Sequence, residues 1–316
     1  MPNFNRVLAC ALALANAISS AAHGQQQASG YSSERLYLSA PGAGWITADS
    51  LDTHGGLGGA MALTFGYSRN PVRATDGTTS LSVVSRQSFL GIGAAVSYDR
   101  FRFSLQLDSP SFVRGDSGTI GQTSFTGPSV DWGSAPDVIS DTRLGGEVRL
   151  VGEAHSAFRF GAGAQLYIPF GSRADYASDG TFRGTVRALV AGDAGLCSYA
   201  GHLGIHLRPL NDAATLDAPR GSELLFGVAA GPSVALGGTW KVTGGPELQG
   251  ASTLSSLFGA GTTAVEGLLS ARLEVVRADG LPIRIKLGAG AGLHHRFGAP
   301  EWRMVIGVEI FSKAER

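Results

Sequence analysis

The sequence predicts an all-β fold, a transmembrane antiparallel up-and-down β-barrel of about 12 strands, and three observations carry that prediction. Alternation of apolar and small or polar residues recurs along the chain with the period of a strand. The connections between alternating stretches are short at one end and mostly long at the other. Aromatic residues gather at the ends of these stretches, where the two membrane interfaces of a barrel would lie.

The stretch Phe89 to Asp108 shows the pattern most clearly. Leu90, Ile92, Ala94, Val96 and Tyr98 alternate with Gly91, Gly93, Ala95 and Ser97, so one face is apolar and the other small. Asp99-Arg100 makes the turn. Phe101, Phe103, Leu105 and Leu107 then alternate with Arg102, Ser104 and Gln106. A soluble sandwich would bury the apolar face against a second sheet; a membrane barrel would turn it to lipid and keep the polar face in the lumen.

Composition narrows the choice. The chain has 316 residues, of which 46 are glycine and only 16% are charged, and no long apolar run follows the N-terminus. That combination argues against a helical enzyme and against a transmembrane helix in the mature chain. Lys plus Arg and Asp plus Glu number 25 each, so no global field recruits nucleic acid.

At the N-terminus, Arg6 precedes an apolar run from Val7 to Ile18, and Ser19 to Gly24 supplies small residues for cleavage after Ala22 or Gly24. Residues 1–24 are expected to be a signal peptide. The lipobox-like Val7-Leu8-Ala9-Cys10 precedes rather than follows the apolar run, which argues against lipidation at Cys10. Removal of the signal leaves Cys197 as the sole cysteine, so no intrachain disulfide is expected.

Residues 25–57 read as polar and irregular, a periplasmic lead-in to the barrel. The barrel is expected over 58–311, with a short tail at 312–316. Its strands are expected at Gly59 to Ser68, at the two arms of the Phe89 hairpin, and at Arg143 to Leu150 and Phe158 to Ile168. The series continues at Phe182 to Val190, Tyr199 to Leu207, Leu224 to Val234, Trp240 to Gln249, Val265 to Val275, Ile283 to Gly292 and Trp302 to Phe311. Short turns are expected at Asp99, Glu153, Gly192, Gly237 and Ala278. The longest loop is Ser109 to Asp141. An even strand number returns both ends of the barrel to the periplasm. Tyr98, Phe101, Phe158, Tyr199 and Trp240 form the expected aromatic girdle beside the short turns, and Tyr67, Tyr167 and Trp302 the one at the opposite rim.

Twelve strands about 4.8 Å apart, tilted about 40°, enclose a backbone cylinder roughly 24 Å across. The inward list is basic: Arg102, Arg143, Arg149, Arg159, Arg183, Arg187, Arg208, Lys241, Arg272, Arg284, Lys286 and Arg303 stand against Glu147, Glu247, Glu266, Glu274 and Glu309. A ring of unpaired arginines would favour anions. The rival reading pairs these charges across strands, Glu147 with Arg143 and Arg149 and Glu274 with Arg272, and fills a structural lumen. His202 and His206 share the lumen face about 13 Å apart, too far to chelate one metal.

Other motifs carry less. Gly115-Asp116-Ser117-Gly118 resembles the nucleophile segment of trypsin-like proteases without a partner histidine segment. Arg114-Gly115-Asp116 is an adhesion tripeptide by spelling only. Gly288 to Gly292 lies within a strand pattern and opens no helix, so it is no dinucleotide loop. His294-His295 reads as an exposed loop pair. Asp108, Asp116, Asp131, Asp137 and Asp141 make the long loop acidic, which raises a weak calcium site as a minority reading. No cofactor and no catalytic constellation are expected.

Trp45 to Leu51, Asp99-Arg100-Phe101, Asp141 to Gly145, Gly221 to Gly227 and Gly298 to Gly307 together resemble the N-terminal barrel of a group of large OmpA-family outer-membrane proteins. The resemblance implies an outer-membrane barrel. Members commonly continue into a periplasmic peptidoglycan-binding domain, whereas this chain stops at Arg316, so cell-wall tethering is not expected. Phe311 is followed by five more residues, unlike chains that end on an aromatic residue read by the assembly machinery. The expected function is a non-enzymatic outer-membrane barrel, either a narrow anion-preferring pore or a structural element. A secreted β-sandwich adhesin and a barrel-embedded lipid-modifying enzyme are the alternatives. Expected partners are outer-membrane lipid and lipopolysaccharide, the barrel assembly machinery and small anionic solutes.

Overall fold

The computed structural model describes residues 26–53, 55–131, 139–210, 221–259, 261–275, 281–294 and 298–312. Twelve strands form one closed antiparallel barrel: β1 (Leu57–Thr75), β2 (Ser80–Tyr98), β3 (Phe101–Arg114), β4 (Thr142–Val151), β5 (Arg159–Ile168), β6 (Arg183–Ala194), β7 (Cys197–Leu207), β8 (Glu223–Ala235), β9 (Trp240–Thr253), β10 (Thr263–Val275), β11 (Ile283–His294) and β12 (Trp302–Phe311). Each pairs with its successor, and β12 closes on β1 in register from Trp302 opposite Arg69 to Phe311 opposite Ala60. No sheet edge is left along the ring. The expected signal segment, the turn at Ala278, Asp137, His295 and the last four residues of the tail lie outside the described residues.

The alternation is inside-out relative to a soluble protein. Along β12, Met304, Ile306, Val308 and Ile310 are exposed while Arg303 and Glu309 are buried. The same holds in β7, where Leu203 and Ile205 face outward and His202 and His206 inward. A sandwich would bury the apolar set, so the soluble alternative is overturned.

Short hairpins lie at one end. Asp99-Arg100 joins β2 to β3, with Asp99 at φ 52° in the left-handed region that aspartate tolerates. The turn expected at Gly192 falls at Gly195-Leu196 instead, because β6 continues through Gly192, which pairs with Tyr199, to Ala194. Gly192 meets a different need: a Cβ there would come within 2.0 Å of the Ala157 carbonyl.

β1 and β2 are far longer than expected, at 19 residues each. At about 3.3 Å per residue they outreach the bilayer. Their outer halves leave the barrel pattern after irregularities at Arg69/Val72 and Val72/Ala74, and bury Val72, Ala74, Val83 and Val84 in a small core. Ile120, Phe125 and Val130 from the long loop, Tyr176 and Ala177 from the β5–β6 loop, and Ala28 and Tyr31 complete it. The long loop expected from Ser109 to Asp141 thus carries short strands at Gly118–Ile120, Thr123–Phe125 and Ser129–Val130, which cap the outer mouth. The protease-like and adhesion-like spellings belong to this cap. Ser117 Oγ accepts from the Gly127 amide at 2.9 Å, and Gly115 packs against the Val83 carbonyl.

Candidate functional site in the barrel lumen

The segment before β1, expected on the periplasmic side, runs through the lumen. Gln26-Gln27 pairs in parallel with Thr123-Ser124 in the outer cap. The chain then descends past Glu223 near the outer end, Gln106 and Glu247 in the middle, and Arg149 and Arg159 near the short turns, before Leu57 opens β1 opposite Tyr98. A straight path needs fewer residues than this stretch holds. The excess folds at Ser39 to Ser50 into a compact knob closed by Ser39 N to Ile46 O at 2.8 Å and Ser50 N to Ala43 O at 2.7 Å. Gly42 at φ 79° and Gly44 at φ 104° make its turns.

Apolar contacts seat the knob. Trp45, Ala48 and Leu51 pack on the inward residues Leu189, Ala191, Ala200 and Ala229. Leu36, Leu38 and Ile46 pack on Phe89, Leu268 and Val305. Ala43, Thr47, Ala48 and Asp49 have no exposed surface, and Trp45 keeps 2%. Knob and wall are in direct contact at that level.

The wall's polar side chains hold the segment's backbone. Glu247 accepts from the Ile46 amide at 3.0 Å, the Thr47 amide at 2.9 Å and Thr47 Oγ1 at 2.8 Å. Lys286 donates to the Trp45 carbonyl at 3.2 Å, Arg159 to that of Ser50 at 3.0 Å, and Arg149 to those of Leu51 and Thr53 at 3.2 and 2.6 Å. Backbone groups of an irregular segment have no ladder to satisfy them, so these contacts replace one.

Charges match in layers. At the outer end Arg208 grips Asp179 through Nε and Nη2, both at 2.7 Å, and donates to Glu223 at 3.0 Å, while Arg35 of the segment reaches the same Glu223 oxygen at 2.5 Å. Burial alone would raise the Asp179 carboxyl, but Arg208 and Arg183 hold it well below the usual carboxylate range. Arg183 also pairs with Asp141 at 2.7 Å. Arg303 bridges Glu266 at 2.7 Å and the segment's Glu34 at 2.8 Å. In the middle, Asp49 of the segment lies 3.2 Å from Arg187, and Glu147 pairs with Arg102 at 3.2 Å and Arg187 at 3.6 Å. The partners expected for Glu147, Arg143 and Arg149, are not the ones it takes; Arg149 turns to the segment's carbonyls instead. Arg284 joins Glu274 and Glu309, and Lys286 joins Glu309 at 2.7 Å.

Arg102, Arg143, Glu147, Arg149, Arg159, Arg183, Arg187, His202, His206, Arg208, Arg284 and Lys286 are all buried inside, and Arg272 and Glu274 line the inner face near the short-turn end. His206 Nδ1 lies 3.2 Å from the Tyr37 hydroxyl and 3.6 Å from Glu223. Tyr98, Phe101, Phe158 and Trp240 are exposed near the short turns, and Tyr199 donates there to the Ala157 carbonyl at 2.8 Å. Tyr67 and Trp302 meet at the other rim, centroids 5.1 Å apart. Tyr167, expected in that rim, is buried in the lumen. It shares the parity of Arg159 and Gln165, so its ring turns inward under Arg183, 4.7 Å away, and beside His206 at 5.4 Å.

Among the described residues the acidic-loop carboxylates do not gather into one site. Asp131 pairs with Arg114 and Asp141 with Arg183, and no metal-holding cluster of three occurs among the described residues. His294 Nδ1 lies 2.8 Å from the Thr263 carbonyl at the end of β11. What the sequence reading missed is the inner segment's contribution: Glu34, Arg35, Trp45, Thr47 and Asp49. The available signal was Leu36, Leu38, Trp45 and Ile46, apolar residues in a stretch otherwise fit for solvent.

Toward the short-turn end the lumen widens into a vestibule of about 530 Å³ floored by Pro41, Gly42, Gly44 and Ser50 of the segment. Arg159 pairs there with Asp193 at 2.8 Å, and Asp52 lies 3.4 Å from His155.

No protein-family model matches the chain. No curated protein matches it in sequence. Among solved structures, an outer-membrane channel from Pseudomonas putida F1 is similar over 82% of this chain and 96% of its own length, with 12% identity and a TM-score of 0.50. The NanC porin covers 79% of this chain and 98% of its own at 8% identity and a TM-score of 0.46. The β domain of the Bordetella autotransporter Brka covers 80% and 98% at 14% identity and a TM-score of 0.43. The likeness to the Pseudomonas channel is one of architecture, and with the closed ring and its inverted faces it gives this chain the fold of an outer-membrane β-barrel.

Proposed function

We propose that the chain is exported by its N-terminal signal, inserted into the bacterial outer membrane by the barrel assembly machinery, and works there without enzymatic chemistry as an anion-preferring passage gated by its own inner segment. The resemblance to OmpA-family barrels supports that placement, and the exposed apolar belt fits a shell of lipid and lipopolysaccharide.

One observation carries the gate: the stretch from residue 28 to 53 has three acids, Glu34, Asp49 and Asp52, against one base, Arg35, and two of the acids seat on lumen arginines. The segment occupies the arginines as a tethered anion would. Withdrawing it leaves Arg187 and Arg303 short of a partner and frees the carbonyl-binding Arg149 and Arg159, so the opened lumen is basic and lowers the barrier for small anionic solutes. A permanently shut structural barrel is the second reading, favoured by the apolar cap core over the outer mouth.

Conductance in a planar bilayer separates the two. Full-length protein should open rarely, whereas Asp49→Ala in the full chain, and deletion of residues 28–53 with the strands intact, should give frequent openings that prefer anions. Arg187→Ala should weaken the preference. Folded, inserted variants that stay silent would establish the structural reading. Turnover of phospholipid or lipopolysaccharide by purified protein would contradict the absence of enzymatic chemistry.

A further inference from the structure

We propose that the vestibule holds a binding site for a small, doubly charged oxyanion of the phosphate class, with Arg272 and Lys241 as its two cations. The proposal deepens the anion-preferring reading by naming a ligand class, and it is tested by binding, which does not require the barrel to conduct.

The argument is one of charges left over. Of the basic groups around the vestibule, Arg159 has Asp193 at 2.8 Å, Arg284 has Glu274 at 3.0 Å and Glu309 at 2.9 Å, and Arg102 has Glu147 at 3.2 Å. Arg272 and Lys241 line the same cavity and make no ion pair among the described residues. Arg272 Nη1 is buried without a hydrogen-bond partner, Nη2 reaches only Ser198 Oγ at 3.4 Å, and the guanidinium lies over the Trp45 ring at 5.1 Å. A guanidinium held by a ring face and one weak hydroxyl contact has hydrogen-bonding capacity to spare, although Nη1 itself is covered where it lies against Gly44.

Placement makes the two cations a pair. Lys241 sits opposite Glu274 and Thr243 opposite Arg272 on adjacent strands β9 and β10, so Lys241 and Arg272 are diagonal neighbours on one face, ~7–8 Å apart. An oxyanion between them can accept from both at ~2.8 Å, with the Ser198 hydroxyl as a third donor. Two positive charges that close no ion pair of their own, with Glu274 and Asp193 nearby but out of contact, select a dianion over chloride. The barrel wall separates the cavity from the bilayer, so the ligand is a soluble anion rather than a lipid headgroup.

The test titrates refolded full-length protein with inorganic phosphate at constant ionic strength set by chloride. Binding is followed by calorimetry and by Trp45 fluorescence in a W132F/W240F/W302F background. Saturable binding with a change in Trp45 emission is expected, weakened about tenfold by Lys241→Gln and by Arg272→Gln, and unchanged by Arg86→Gln on the exposed outer part of β2. Should Arg272→Gln refold poorly, Arg272→Lys and Lys241→Gln carry the comparison. Phosphate binding no tighter than chloride, or a Lys241→Gln variant that binds like the unsubstituted protein, would overturn the site. Conductance without phosphate binding would leave the gated passage standing while removing this site.

Discussion

The outer end of the lumen turns on one side chain. Arg208 is the shared cation of two buried carboxylates, Asp179 and Glu223, and it meets Asp179 with both edges of its fork. Arg208→Met would bury two carboxylates with one cation fewer, and the expected cost is about 3–5 kcal/mol in the urea midpoint, read by tryptophan fluorescence. Arg208→Lys should recover little, because an ammonium cannot make the two-edged contact. The sign of the pH effect follows from Asp179. Its carboxyl is depressed in the folded protein, so its contribution is full above the unfolded value near 3.9 and drains away as pH falls toward the folded one. The midpoint should therefore drop between about pH 4 and pH 2, and Asp179→Asn should flatten that slope while lowering stability at pH 7. An unchanged midpoint across that range in the unsubstituted protein would contradict the assignment.

At the scale of elements, the twelve strands were legible and the inner segment was not, for one physical reason. A strand between lipid and lumen must alternate, so Leu203 and Ile205 against His202 and His206 announce themselves. A segment folded inside the lumen touches wall on every side and has no period to read. Its partners are also distant: Glu34 and Arg303 are 269 residues apart. The arginine-rich inner face could be read from spacing, but what answers those arginines could not. Glycine spacing misled at Gly192, a close-approach position that reads like a turn. Gly44 is the decisive glycine of the segment. It sits at φ 104°, and a Cβ would come within 2.6 Å of Arg272 Nη1. Gly44→Ala should loosen the knob by about 1–3 kcal/mol and raise open probability in a bilayer. Gly55→Ala, where a Cβ meets nothing within 4 Å, should leave gating unchanged. Equal behaviour of the two variants would show that the knob does not hold the gate.

For the whole molecule, the inversion of faces makes position around the barrel and depth in the membrane the two coordinates that decide what a charge costs. Arg187 is buried yet stable because Asp49 and Glu147 meet it on the lumen side. Leu203 lies near the middle of β7, one strand away, and points outward with 56% of its surface exposed. Leu203→Arg places the same guanidinium at lipid mid-depth, where no carboxylate can reach it, and should cost about 2–4 kcal/mol in refolding into phosphatidylcholine vesicles. Leu207→Arg, at the outer end of the same strand and facing the same way, should cost about 0–1 kcal/mol, because the side chain can extend to the headgroups. A barrel that kept its apolar belt in water would show no such difference, since either arginine would relieve an exposed apolar surface and neither position would be distinguished by depth. The difference between the two variants, measured in one lipid by urea titration, therefore reads the membrane directly, and equal costs at both positions would place the exposed belt outside a bilayer.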